Sequence, residues 1–166
     1  LKDIEGGRIH KYKYNGQEGF LLTTSARESK KSLGISVLAQ DDSSPFGKIL
    51  FFPLNKIVEK KSEYIIASKG HRNPQGLLVF NETILSTEHG PKGGDEINQI
   101  KFGKNYGFPI VSVGDLYTFP NKKRPDYFFK KKHEPNSFQE PIFTFVPSVG
   151  IQQLISIPNS FSKYWQ

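Results

Sequence analysis

Residues 70–109 carry the clearest structural signal in this chain, and they read GHRNPQGLLVFNETILSTEHGPKGGDEINQIKFGKNYGFP. Three short runs within them are rich in residues that favour β-strands, and each run lies between residues that favour turns. The predicted strands cover residues 75–80, 83–87 and 96–101. Asn81 and Glu82 form the predicted turn between the first two strands.

The same pattern extends to both sides of this stretch. Residues 8–14 alternate between two faces, and Asn15-Gly16 after them is a hairpin signal because both residues tolerate positive φ. Further strands are predicted over residues 18–25, 46–54, 63–68, 142–145 and 154–157. No window gives a convincing helix, so the sequence predicts an all-β chain.

Units of about four strands recur along the chain, which is typical of the blades of a β-propeller. We predict one blade over residues 1–69, the next over residues 70–140, and the start of a further blade over residues 141–166. A full propeller needs roughly four to eight blades, and a stack of fewer blades would leave unpaired strand edges. Because the chain also begins with Leu1 instead of Met, we expect it to be part of a larger propeller.

The composition excludes several classes of protein. The chain has 166 residues and no Cys, so disulfides, thiolate zinc sites and cysteine nucleophiles are excluded. No apolar run approaches the roughly 18–20 residues that would span a bilayer, and no signal peptide is visible at the N-terminus. Hydrophobic residues make up 36% and charged residues 23%, which suits a folded domain.

The formal net charge of +7 is concentrated in one cluster, residues 122–134, which read KKRPDYFFKKKHE. Aromatic residues interleave with six Lys and Arg, and such rings can stack on bases. One interpretation is therefore a patch over residues 122–132 that binds nucleic acid or another polyanion. The other interpretation is a solvated loop, which is favoured because the rest of the chain carries only +3. We expect no nucleic-acid partner.

Polar groups suited to ligand binding stand in the first half of residues 70–109. Arg72 offers a planar fork for carboxylates, and Asn73 adds a donor and an acceptor. The Gly90-Pro91 step follows a strand, so its carbonyl oxygens are expected to be free of the strand ladder. Free carbonyl oxygens are hard ligands that suit Ca²⁺.

Each of these residues also has a simpler interpretation. Arg72 could be a structural pin, His89 a satisfied loop residue, and Asp95 and Glu96 solvated acids beside a turn. Taken one by one, the simpler interpretations win. Their clustering in one short stretch favours a binding site.

The motifs GHRNPQG, EHGPKGGDEIN and GKNYGFP occur in this order, and together they closely resemble the soluble quinoprotein sugar dehydrogenases, the glucose/sorbosone dehydrogenase family. The likeness extends to residues 6–8, 40–50 and 147–150. It implies a six-bladed β-propeller, of which this chain covers roughly half. It also implies two cofactors, pyrroloquinoline quinone (PQQ) and calcium.

The resemblance assigns roles to individual residues. The residues implied to contact PQQ are Arg72, Asn73, His89 and, on a looser alignment, Ser148, and Arg72 is also the implied catalytic residue. The implied calcium ligands are the carbonyls of Gly90 and Pro91 at the quinone, and Glu96 with the carbonyl of Tyr106 at a second, structural ion.

The sequence departs from the family pattern near its start. The family's catalytic base is a His, and the position where it is expected is Ile4, which cannot take a proton. Asp3 could be the acid that stands beside that His. His10 is the nearest candidate base, provided that its strand brings it to the inner face. Ser25-Ala26 stand where the family usually has Gly-Asp.

Two functions are therefore open from the sequence. The resemblance implies oxidation of an aldose sugar at C1 to the lactone, with an external electron acceptor and a periplasmic or secreted location. The departures favour a non-catalytic propeller of the same family that binds calcium, a glycan or a protein partner.

Overall fold

The structure is a computed structural model that describes residues 7–26, 37–61, 63–115, 132–133, 137–158 and 160–161. These residues form two β-sheets. The strands are β1 (Ile9–Tyr14), β2 (Gln17–Thr24), β3 (Lys48–Pro53), β4 (Ile65–Lys69), β5 (Pro74–Phe80), β6 (Thr83–Glu88), β7 (Asp95–Ile100), β8 (Lys104–Asn105) and β9 (Phe143–Phe145). The all-β prediction is confirmed.

The first sheet has the strand order β1-β2-β3-β4-β8. Its first four strands form an antiparallel meander, and all four lie where the sequence predicts strands. Asn15 and Gly16 turn the chain between β1 and β2 with φ angles of 48° and 79°, as the hairpin signal requires. The fifth strand, β8, pairs in parallel with the end of β4. A strand of two residues shows no period, so the sequence could not predict it.

The second sheet has the strand order β5-β6-β7-β9. Its first three strands match the three predicted in residues 70–109. Asn81 and Glu82 form the turn between β5 and β6 with φ angles of 46° and 64°. Leu77, Ile84 and Ile100 of these strands are buried and belong to the hydrophobic core.

The strand expected to open a further blade lies in this second sheet. β9 pairs with β7, with Phe143 opposite Ile97 and Phe145 opposite Asp95. Residues 154–157 are described and form no strand, so that strand prediction is wrong. The division into blades over residues 1–69, 70–140 and 141–166 stays a prediction.

The two sheets share one hydrophobic core. Its buried members are Leu21, Ile49, Phe51, Ala67, Leu77, Ile84, Ile100 and Tyr106. Burying one large apolar side chain stabilises a fold by roughly 1.5–3 kcal/mol. At the edge of this core the rings of Tyr14 and Phe102 stack with their centroids 3.8 Å apart. Because both sheets pack on the same core, the ends of β4 and β6 are held in a fixed relation.

Two short helical segments depart from the expectation of no helix. A 3-10 turn covers Val37–Ala39, and helix α1 covers Leu54–Val58. Pro53 ends β3 in an extended conformation, and the chain then makes little more than one helical turn. No residue of α1 is buried, and although Leu54, Ile57 and Val58 have helical spacing, five residues are too few for this period to predict a helix. Neither segment, nor any other helix in the described part of the chain, is long and apolar enough to cross a membrane.

Lys48 at the start of β3 has a fully buried side chain. Its ammonium group donates to the carbonyl oxygens of Leu38 at 2.8 Å, Ala39 at 3.0 Å and Phe46 at 2.9 Å. Three acceptors match the three protons of an ammonium group, so Lys48 fastens the preceding segment to the sheet. Burial lowers the pKa of Lys48 to about 8, because it disfavours the charged form.

Replacing Lys48 by Met should lower the free energy of unfolding by about 1–3 kcal/mol at pH 7, because the buried carbonyl of Ala39 and the partly buried carbonyls of Leu38 and Phe46 lose their donor. The folded chain releases this proton near pH 8 and the unfolded chain near pH 10.5. The wild type therefore gains stability as the pH rises between these values, and the variant does not. Urea unfolding at neutral and alkaline pH measures the difference in free energy of unfolding between the wild type and Lys48→Met. The exposed Lys13→Met is the control for a lost charge. A stability difference between the wild type and Lys48→Met that becomes smaller as the pH rises would contradict this account.

Candidate functional site

The connection from β4 to β5 carries the first two predicted site residues, Arg72 and Asn73. The chain leaves β4 at Gly70, which has a φ of 79°. A Cβ at this position would lie 2.3 Å from the side-chain oxygen of Asn105 and 2.6 Å from the amide nitrogen of Gly107. Only glycine therefore fits both the backbone angle and the space, and the turn that it makes directs the next three residues into the interior.

Arg72 is nearly buried, with 9% of its surface exposed. Its Nη1 donates to the carbonyl oxygen of His89 at 3.2 Å and to that of Gly90 at 2.9 Å. The guanidinium group thus spans from the β4–β5 connection to the turn that follows β6. A predicted cofactor residue and a predicted calcium ligand are in direct contact.

Asn73 is also buried, and the oxygen and the nitrogen of its side-chain amide differ in their surroundings. Its Oδ1 accepts from Ser25 Oγ at 2.6 Å and from Gln75 Nε2 at 3.1 Å. Its Nδ2 has no hydrogen-bond partner among the described residues. A buried donor without an acceptor is costly, so Nδ2 is suited to a ligand that presents an oxygen. Ser25, which departs from the family pattern, serves here to orient Asn73.

A buried polar network supports these residues from behind. Nδ1 of His71 lies 3.0 Å from Oε2 of Glu88, and its Nε2 lies 2.8 Å from the hydroxyl of Ser68. The backbone N–H of Arg72 donates to Oε1 of Glu88. Since a carboxylate only accepts, Nδ1 of His71 carries a proton. Ser68, His71 and Glu88 are all buried, and the hydrogen bond from the Arg72 N–H to Glu88 holds the backbone at Arg72.

The predicted calcium ligands meet at one small pocket that is partly open to solvent. The residues that line it are Gly70, Arg72, Glu88, Gly90, Pro91, Glu96, Tyr106, Phe108, Val111 and Ser112. Five of them, Arg72, Gly90, Pro91, Glu96 and Tyr106, are residues that the sequence singled out. They come from four separate segments of the chain, which the two sheets bring together.

Acceptor groups are in excess on one side of this pocket. Burial, and then the negative charge of Glu88, raise the pKa of Glu96 to about 8. Asn98 Nδ2 donates to Glu96 Oε2 at 3.2 Å, while Asn98 Oδ1 has no partner in the described part of the chain. Burial and electrostatic repulsion between Glu88 and Glu96 thus favour the protonated form of Glu96 at neutral pH. A cation at this point would relieve that repulsion.

Side chains alone do not complete a metal site here. No group of three or more His, Cys, Asp or Glu side chains among the described residues is placed to hold a metal ion. The hydroxyl of Tyr106 donates to the Gln99 carbonyl at 2.5 Å and accepts from the Lys101 amide at 3.0 Å, and burial raises its pKa to about 12. Tyr106 could therefore offer only its backbone carbonyl, and a cation would depend on carbonyl oxygens.

Three other predicted residues, Asn73, His89 and Ser148, do not line the pocket. The Nε2 of His89 is 2.6 Å from the carbonyl oxygen of Ile151. The hydroxyl of Ser148 donates to Asp95 Oδ1 at 2.9 Å. The simpler interpretation of Asp95 as a solvated turn acid is wrong, because Asp95 is only 2% exposed. Two acidic residues in succession at the start of a strand were its only signal, and this pattern is equally typical of an exposed turn.

Other sequence-based candidates are absent from the pocket. His10 lies on the same face of β1 as Tyr12 and bonds to the carbonyl of the adjacent Lys11 at 2.8 Å, so it contributes nothing to the pocket. Asp3 and Ile4 lie outside the described residues, as do most of the basic residues 122–132.

A match to a protein-family model shows which family the chain belongs to. Residues 5–166 match the family model described as Glucose / Sorbosone dehydrogenase. The chain belongs to this family. Within the Glucose / Sorbosone dehydrogenase family, it is 44% identical over 112 residues to the aldose sugar dehydrogenase YliI of Escherichia coli, a match that covers 66% of this chain and 29% of that protein. It is 39% identical over 80 residues to the quinoprotein glucose dehydrogenase B of Acinetobacter calcoaceticus, covering 44% of this chain and 17% of that protein.

Solved structures agree with this assignment. The soluble aldose sugar dehydrogenase of Escherichia coli in its apo form superposes with a TM-score of 0.63 at 26% identity, and the match covers 89% of this chain and 42% of that chain. The expected propeller fold, of which this chain is a part, is confirmed. The chain spans less than a third of the length of the curated relatives named above.

Proposed function

We propose that this chain forms the cofactor-binding part of a quinoprotein that oxidises an aldose sugar at C1 to the lactone, with PQQ and calcium. One observation carries the proposal. Arg72, Gly90, Pro91, Glu96 and Tyr106, singled out from the sequence as cofactor and metal residues, line a single pocket. The matching relatives, which are named as sugar and quinoprotein dehydrogenases, support the same reaction class.

Arg72 at the pocket and Asn73, which does not line it, offer donors for a quinone that carries three carboxylates. Arg72 supplies a guanidinium group, which binds carboxylates through paired hydrogen bonds. The unpaired Nδ2 of the buried Asn73 requires an acceptor, and a quinone or carboxylate oxygen would supply it. We propose His89 and Ser148 as further contacts. Both already donate a proton within the chain, so each would accept from a donor group of the cofactor.

The acceptors fit calcium, which takes oxygen ligands from carboxylates and backbone carbonyls. We propose the carbonyls of Gly90 and Pro91 as ligands at the quinone, and Glu96 with the Tyr106 carbonyl as ligands of a second ion. The Gly90 oxygen already accepts from Arg72 at 2.9 Å. A cation bound to Gly90 must therefore share this oxygen with Arg72 through its second lone pair.

When bound, PQQ supplies the acceptor for the hydride from C1 and calcium polarises it as a Lewis acid. The role of this chain's own residues is to bind and orient the cofactor. Arg72 donates to the anionic cofactor, and Glu88 fixes the backbone at Arg72 through its N–H. Removal of the C1 hydroxyl proton needs a base, and as aligned the expected position holds Ile4. Loss of a general base typically lowers the rate by about 10²–10⁴-fold.

The second candidate function is a non-catalytic propeller of the same family that binds calcium, a glycan or a protein partner. The observation that favours it is Ile4 at the expected base position. Such a protein would keep the carbonyls and carboxylates of the pocket and lose turnover.

Partners and location follow from the same proposal. The substrate is an aldose, and the electrons leave to an external acceptor. We propose a periplasmic or secreted location, which is also where free calcium is abundant enough to fill weak sites of carbonyl oxygens.

Reconstitution tests the proposed function. The purified protein is loaded with PQQ and calcium, and reduction of an artificial electron acceptor is followed on adding an aldose. Reduction that depends on sugar, PQQ and calcium together is the expected result. No reduction by a protein that has demonstrably bound PQQ would reject the enzyme and favour the non-catalytic propeller.

Calcium should raise thermal stability through Glu96. A ligand at 100 times its Kd stabilises the folded state by about 2.7 kcal/mol, so the melting temperature should rise on adding calcium and fall with a chelator. Glu96→Gln removes one charged ligand and should abolish most of this rise. Glu82→Gln, in the exposed β5–β6 turn, is the matched control. An equal calcium response in both variants would show that Glu96 binds no calcium.

A further inference from the structure

Asp95 is the most heavily hydrogen-bonded carboxylate in the described part of the chain, and nothing assigns it a role. It opens β7 and is 2% exposed. Five donors converge on it: the Gly90 amide at 3.2 Å and the Ser148 hydroxyl at 2.9 Å on Oδ1, and the amides of Val149 at 3.1 Å, Gly150 at 2.7 Å and Ile151 at 3.1 Å on Oδ2.

The donors on Oδ2 form a small anion-binding concavity. Three successive amides point at one oxygen, and Gly150 has the φ of 67° that lets the backbone curl around it. Burial alone would raise the pKa of Asp95, but the hydrogen bonds from Ile151, Ser148, Gly150 and Gly90 outweigh it and hold the pKa below its usual range. The carboxylate is therefore ionised and fully engaged at neutral pH.

The segment that Asp95 holds, residues 148–151, is distant in sequence and close to the pocket in space. Its continuation is pinned to the second sheet: Thr87 donates to the Gln152 carbonyl, and Gln153 Nε2 donates to the Leu77 carbonyl at 3.1 Å. Asp95 differs from these pins because it also binds the amide of Gly90. One carboxylate thus joins residues 148–151 to the turn whose carbonyl accepts from Arg72.

We propose that Asp95 is a positioning residue that locks residues 148–151 against the Gly90-Pro91 turn, and so fixes the Gly90 carbonyl and the Ser148 hydroxyl at the rim of the cofactor pocket. The inference rests on the proposed function for its consequence, which is cofactor affinity. The lock itself is a property of the fold. Removing a residue that orients the residues in direct contact with a bound group typically lowers the affinity by about 10–100-fold.

Two variants separate the parts of this lock. Asp95→Ala removes the acceptor for all five donors. Asp95→Asn keeps one oxygen, which can still accept from the amides of residues 149–151, but its NH₂ group then faces the amide of Gly90. Asp41, whose Oδ1 accepts from the amide of Ser43 at 2.8 Å in an exposed turn, provides the matched control variants Asp41→Ala and Asp41→Asn.

The test measures PQQ affinity by titration in the presence of calcium, and amide hydrogen exchange of residues 149–151. Asp95→Ala should weaken PQQ binding by about 10–100-fold and speed exchange at these amides. Asp95→Asn should weaken PQQ binding with less effect on exchange, and the Asp41 variants should change neither. PQQ affinity in Asp95→Ala equal to that of Asp41→Ala would overturn the positioning role.

The PQQ titration and the hydrogen-exchange measurement test different properties of the protein. If the wild type itself binds no PQQ, the proposed function fails, and hydrogen exchange still decides whether Asp95 locks residues 148–151. Unchanged exchange in Asp95→Ala would overturn the lock whatever the protein binds.

Discussion

Arg72→Lys should weaken PQQ binding by about 10–100-fold, since the variant loses at least one charge-assisted hydrogen bond worth about 1.5–3 kcal/mol. Lysine keeps the positive charge but lacks the planar fork that pairs with a carboxylate. It also cannot span from the pocket to the carbonyls of His89 and Gly90 with the same two-point geometry that Arg72 shows. Titration of PQQ into calcium-loaded protein, followed by absorbance, measures the loss.

Arg8→Lys is the matched control for this substitution. Arg8 donates to Gln153 at 3.0 Å at the surface, away from the pocket, so its replacement should leave PQQ affinity unchanged. Equal affinities in the two variants would mean that Arg72 holds the Gly90 turn and makes no contact with the cofactor.

Glu88→Ala should lower the free energy of unfolding by about 2–5 kcal/mol, because two buried N–H groups lose their acceptor and each such loss costs roughly 1–3 kcal/mol. The substitution leaves the N–H groups of His71 and Arg72 buried without their acceptor. It also removes the charge that raises the pKa of Glu96, which offsets a part of the loss. Urea unfolding of the purified protein measures the difference.

Glu88→Gln should cost less than Glu88→Ala. The amide keeps one acceptor for the Arg72 N–H, and His71 can move its proton to Nε2 and accept at Nδ1. Glu18→Ala is the surface control, because Glu18 pairs with Lys11 at 3.2 Å in solvent and such pairs contribute at most about 1 kcal/mol. A Glu88→Ala variant no less stable than Glu18→Ala would show that the buried network does not hold the fold.

The sequence predicted the longer strands because their signals are local. Residues 8–14 alternate with a period of two, and Asn15-Gly16 specifies a hairpin by its backbone angles alone. The two shortest strands differ in this respect. The strand predicted over residues 142–145 contains the three-residue β9, whereas the two residues of β8 are too few to show a period. The pairing of these strands with β7 and β4 depends on tertiary structure, which pattern reasoning does not supply.

The site was predictable only in part, for a different reason. Resemblance placed the Gly90-Pro91 turn and Arg72, which meet at the pocket. Sequence reasoning missed Glu88 and the lock at Asp95, because a carboxylate near a turn gives the same pattern whether it is solvated or buried. What distinguishes the two cases is the set of donors that tertiary structure brings to the carboxylate, and for Asp95 four of the five come from residues 148–151.

The central claim is that the pocket between Arg72, Gly90 and Glu96 holds a quinone and calcium for sugar oxidation. The most direct test loads the protein with calcium and one equivalent of PQQ in the absence of oxygen, and records the absorption spectrum while an aldose is added. We predict that PQQ binds, that its oxidised spectrum gives way to that of the reduced quinone, and that a calcium chelator prevents the change. A protein that binds no PQQ, or whose bound PQQ keeps its oxidised spectrum at saturating sugar, would contradict this claim.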